Sequence, residues 1–103
     1  MSLKDDLIAK VREIDGVVDN YSPELKNIDL SYRGRSFAHF HGDNILDIRL
    51  TKKVIRELGL SHPIDSADHP KRSPNSPWIE IRFDKKADIV KIAELVKRAI
   101  AEL

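Results

Sequence analysis

The chain has 103 residues, 41% of them hydrophobic and 34% charged, and its 18 basic side chains are nearly cancelled by 17 acidic ones. That size supports one domain with a modest core, and the hydrophobic content excludes a disordered chain. The charge balance argues against a dedicated nucleic-acid binder, and the absence of cysteine excludes a disulfide scaffold, a thiolate metal cage and a cysteine nucleophile.

Ser2 followed three residues later by Asp5 is an N-cap pattern. Leu3, Leu7, Val11 and Ile14 then recur at helical spacing, and Gly16 supplies a stop, which predicts a helix over about residues 3–14. Val17-Val18 reads as a short extended segment before Ser22-Pro23. Ile28, Leu30 and Tyr32 alternate with Asp29, Ser31 and Arg33, the pattern of a half-buried strand, and Gly34 marks a hairpin turn. The returning strand, 36–41, is expected to put Phe37, His39 and His41 on one face and Ala38 and Phe40 on the other. After the Gly42-Asp43-Asn44 turn, Leu46, Ile48 and Leu50 face one way while Ile45, Asp47 and Arg49 face the other.

Thr51 caps a short helix predicted to bury Val54, Ile55 and Leu58 before Gly59 ends it. Residues 60–77 carry no periodic pattern and hold Pro63, Pro70, Pro74 and Pro77 together with His62 and His69. An irregular stretch of this length in so small a domain is usually functional or mobile. Trp78–Phe83 alternates as a strand, with Ile79, Ile81 and Phe83 opposite Trp78, Glu80 and Arg82. Asp84 is expected to open a last helix whose apolar face is Ile89, Ile92, Ala93, Val96, Ile100 and Leu103. The order α-β-β-β-α-β-α predicts an α+β two-layer sandwich over residues 1–103. Its antiparallel sheet would have about four strands, with the helices on one face.

Gly16-Val17, Phe37-Ala38-His39-Phe40-His41-Gly42, Asp47-Ile48-Arg49-Leu50 and Trp78-Ile79-Glu80-Ile81-Arg82-Phe83 together resemble the luciferase-family domain, a small domain of unassigned function. The resemblance runs in order from roughly Val11 to Ala99. It implies a hairpin ending in His-x-His, a histidine-containing loop, a Trp-led strand and a final helix. The loop histidine of that pattern corresponds to His69 or His62, and Pro77 stands where the family typically has glycine. The resemblance implies a fold and a site; it names no reaction, cofactor or light emission.

His39 and His41 leave one strand face about 7 Å apart, which suits two imidazoles on one metal, but a metal site needs a third ligand from Asp47, His62 or His69. The cofactor is left open by the sequence. The favoured reading is a ligand face formed by His39, His41, Asp47, Arg49, His69, Trp78 and Arg82, with Glu80 beside them. Arginine would serve a carboxylate or phosphate and tryptophan would stack on a ring, so the ligand is expected to be a small anionic or aromatic molecule. Residues 60–77 would act as a lid. A solvated sheet face laced by ion pairs explains the same residues. Core packing accounts for Trp78, and surface charge accounts for Lys71-Arg72 and for Arg33 and Arg35.

Two alternatives come from other classes. One is a small hydrolase or isomerase using His39 or His41 as general acid/base, with Asp47 as the orienting carboxylate. The other is a protein-interaction module in which the proline-rich loop docks a partner or a sheet edge pairs a second copy into a homodimer. No apolar run spans a membrane and the N-terminal residues carry no apolar signal region, so a cytoplasmic protein is expected.

Overall fold

A computed structural model of the protein describes residues 2–61, 72–73 and 75–103. The chain runs α1 (Leu3–Arg12), β1 (Val17–Ser22), β2 (Asn27–Tyr32), β3 (Arg35–His41), β4 (Ile45–Arg49), α2 (Lys52–Glu57), β5 (Trp78–Arg82) and α3 (Lys86–Ala101). The five strands form one sheet in the order β1-β2-β3-β4-β5, every neighbouring pair antiparallel. This is an α+β sandwich with one strand more than the four expected. The extra strand is β1, where Val17 alone is buried and Asp19 and Asn20 are residues that strands disfavour. Its pairing with β2, from Val17 opposite Tyr32 to Ser22 opposite Asn27, sustains a strand that alternation does not announce.

The turns have local causes. Tyr32 pairs with Arg35, leaving Arg33 and Gly34 as a two-residue loop with φ of 50° and 83°. Positive φ at both positions is the hairpin geometry that matches strand twist, and glycine takes it without strain. The Arg33 guanidinium lies 5.2 Å from the Tyr32 ring centre. At the start of α1, Ser2 Oγ accepts from the Asp5 amide at 3.1 Å, as the cap pattern predicts. Thr51 Oγ1 accepts from the Val54 amide at 3.3 Å and starts α2.

One face of the sheet carries the core. Leu30, Ala38, Ile48 and Ile79 form a row across four strands, each with no exposed surface, and Phe40 and Leu46 pair beside it. Leu7 and Val11 of α1, Val54 and Ile55 of α2, and Ile89, Ile92, Val96 and Ala99 of α3 close over them. The helices therefore lie on one side of the sheet, and the apolar stripes of α1 and α3 face inward.

Three local expectations are corrected. Phe37 belongs to the core cluster and not to the histidine face. Leu30 pairs with Ala38 but Ser31 pairs with Ser36, so Phe37 is the extra residue of a β-bulge, and a bulge breaks strict alternation. Leu58 is 41% exposed, because α2 ends at Glu57 and Leu58 is its C-cap. Helix α3 starts at Lys86 instead of Asp84. The Asp84 amide donates to Asp88 Oδ2 at 3.0 Å, which uses residue 84 as a brace ahead of the helix. Among the described residues no helix is long and apolar enough to cross a membrane.

Candidate functional site

Strand register sets a second row on the face opposite the helices. Asp29 pairs with His39, His39 with Asp47, and Asp47 with Glu80. Adjacent strands are about 4.8 Å apart, so each of these side chains stands beside the next. On one side of this row Arg49 pairs with Trp78; on the other His41 pairs with Ile45, and Ile45 with Arg82. The face predicted from alternation thus gathers His39, His41, Asp47, Arg49, Trp78, Glu80 and Arg82. His62 and His69 lie outside the described residues.

Two carboxylates on this face are as buried as the core. Asp47 is 1% exposed and Glu80 is 3% exposed. A buried carboxylate is costly unless it is paired and hydrogen-bonded, and both are. Arg72 clamps Asp47 with two parallel contacts, Nη1 to Oδ1 and Nη2 to Oδ2, the second at 2.8 Å. His39 Nε2 lies 3.3 Å from Asp47 Oδ2. Arg82 Nε donates to Glu80 Oε2 at 3.4 Å. Asp29 Oδ1 accepts from Ser36 Oγ at 2.6 Å. Among the described residues, Arg49 makes no ion pair.

The aromatic side chains stack beside the carboxylates. The His39 ring is 4.9 Å from the His41 ring, edge to face, and 5.3 Å from the Trp78 ring, tilted by 40°. Trp78 is half-buried and stays out of the core cluster, so it serves the polar face and not core packing. Its position is fixed by backbone: the Pro77 carbonyl accepts from the amides of Leu50 and Thr51, at 2.9 and 3.1 Å. The Trp78 amide in turn donates to Ser76 Oγ at 3.1 Å.

Arg72 is the residue that sequence reasoning missed. It was expected to be a solvated loop charge, yet its side chain is 13% exposed and holds Asp47, the most buried acid among the described residues. The available signal was Asp47 itself: an acid between Leu46 and Ile48 in a central strand demands a cationic partner, but nothing local says which one. A cation on Asp47 thus comes from residue 72 and not from a neighbouring strand.

Among the described residues, clefts of about 370, 490 and 490 Å³ are lined by Leu58, Leu60, Ile81, Arg82 and Leu95, by Lys52–Glu57, and by Ile14 and Val90. His39, His41 and Asp47 each offer a ligand atom within 4.8 Å of the others.

An antiparallel five-strand meander backed by helices, with a histidine–carboxylate–tryptophan cluster opposite them, defines a small α+β domain with one chemically dense surface. The family model described as the Luciferase domain matches residues 34–99, nearly two thirds of the chain, and the chain belongs to that family. The matched segment contains every cluster residue from His39 to Arg82. It leaves out α1, β1 and β2. No curated protein and no solved structure matches the chain.

Proposed function

We propose that the protein is a binding module for a small anionic molecule with an aromatic ring, held on the His39, His41, Trp78 and Arg49 face. The observation that carries this reading is the pairing of Arg49 with Trp78 across β4 and β5, beside the stacked histidines. A guanidinium without an ion pair among the described residues supplies a fork for carboxylate or phosphate. The adjacent indole offers a face to a ring, and imidazole adds neutral donors and acceptors. The acid–base enzyme reading draws on the His39–Asp47 contact. Arg72 already compensates that carboxylate at both oxygens, which weakens its pull on a developing imidazolium, so the contact favours fixed orientation over proton transfer.

Trp78 is the sole tryptophan, so its fluorescence reports this face alone. Benzoate and phenyl phosphate, each titrated in EDTA to the millimolar range where weak specific binding lies, are expected to change that emission saturably. Arg49→Ala should weaken the response about tenfold, in line with loss of one charge-assisted pair. Emission unmoved by either compound, or an Arg49→Ala response equal to that of the natural chain, would overturn the proposal.

A further inference from the structure

The geometry points to a transition-metal site: we infer that His39, His41 and Asp47 bind one divalent ion of the zinc type. From sequence the two histidines lack a defined third ligand. Register supplies it, because Asp47 lies directly across from His39 on β4 while His41 follows two residues along β3. All three ligands therefore sit on adjacent strands of one sheet, where backbone position is fixed most firmly.

The spacing suits coordination. Zinc–nitrogen and zinc–oxygen bonds of about 2.0–2.2 Å at tetrahedral angles put neighbouring ligand atoms about 3.3–3.4 Å apart. His39 Nε2 and Asp47 Oδ2 are already 3.3 Å apart. The ligand atom of His41 lies within 4.8 Å of the others, so about 1.4 Å of closure completes the set. His41 ends its strand and is followed by Gly42 at a φ of 63°.

Arg72 holds both oxygens of Asp47, and Oδ2 also faces His39 Nε2. A carboxylate ligand oriented by a hydrogen-bonding partner is the usual outer-shell arrangement around a metal. Two imidazoles and one carboxylate select zinc, cobalt, nickel or copper over magnesium or calcium, which take oxygen ligands. The site shares its face with the proposed ligand but does not depend on it, since zinc is tested without any organic molecule and the ligand in the presence of EDTA.

The test is calorimetric titration of zinc into the full chain, stripped with EDTA and desalted, at about pH 7.5 where imidazole is ordinarily neutral. One-to-one binding is expected. His39→Ala and His41→Ala should each weaken it at least tenfold, while the double variant His62→Ala/His69→Ala retains it. Cobalt in place of zinc should give the intense visible absorption of a tetrahedral site, lost in His41→Ala. His41 is half-buried at a strand end, so this variant should keep its fold, as checked by circular dichroism. No stoichiometric binding, or binding kept by His39→Ala and His41→Ala, overturns the inference.

Discussion

On the helical side of the sheet, Leu30, Ala38, Ile48 and Ile79 make a row across four strands with no exposed surface; one residue further along each strand, Asp29, His39, Asp47 and Glu80 make a row on the opposite side. Asp47 and Glu80 are as buried as the apolar row, yet among the described residues no helix lies over them. The apolar row is buried because α1 and α3 lay hydrocarbon stripes on it, and that burial needs no directional match. In the polar row named partners meet named atoms, above all Arg72 on Asp47. The first kind of burial holds the chain together. The second fixes where a few groups stand, and it contributes little net stability when complete.

The largest effect should come from breaking the apolar side. Phe40 has no exposed surface and packs edge to face on Phe83, ring centres 6.2 Å apart. Phe40→Ala is expected to cost about 3–5 kcal/mol by urea unfolding, as for large aromatic truncations in close-packed cores. A cost under 1 kcal/mol would show that this side is loosely packed and the contrast false.

The next effect separates pairing from stability. Arg72→Met leaves Asp47 buried without its principal cation, and is expected to cost about 3 kcal/mol, the lower end for breaking a buried pair. The double change Asp47→Leu with Arg72→Met should regain most of that loss, because apolar replacement of both partners is often neutral. The double variant should at the same time lose the one-to-one zinc binding. If it unfolds as readily as Arg72→Met alone, the pair is a structural strut and the two faces do not differ in the way argued.

That difference also decides what the sequence discloses. Alternation in Ile45–Arg49 and Trp78–Arg82 assigns both faces correctly, since a strand reverses its side chains at every residue. The helices of the sandwich follow from apolar spacing in the same way. Alternation fails at Phe37, because a bulge adds a residue that no local pattern encodes, and at β1, whose stability resides in its pairing with β2. The cluster was half legible: His39, His41 and Asp47 are separated by few residues, so short turns bring them together. Arg72 is 25 residues from Asp47, and only tertiary closure of the chain selects it from among 18 basic side chains.

A smaller effect belongs to the entry into β1. Gly16 has a φ of 92°, and a Cβ there would stand 2.7 Å from Tyr32 Cε1. Gly16→Ala combines backbone strain with that overlap and should cost about 1–3 kcal/mol. Gly16→Ala in a Tyr32→Ala background should cost less, by the share that is steric; an unchanged penalty would assign the whole effect to the backbone.

The smallest effect lies at the rim of the helical layer, where a lone surface charge can be compared with the buried ones. Asp88, in the first turn of α3, has its pKa lowered from 3.8, chiefly because its carboxylate accepts the Asp84 amide; nearby Lys85 adds to the lowering. A carboxyl whose folded pKa is depressed contributes stability that is fully present above its unfolded value. That stability is lost as pH falls through the lower folded value. Asp88→Asn keeps an oxygen for the amide and gives up the charge. Its melting temperature should therefore sit slightly below that of the natural chain at pH ~7, and the gap should narrow as pH drops through about 4 and below. Thermal melts of both chains across that range measure the difference directly. Two parallel curves would mean that the Asp84 brace depends on shape alone.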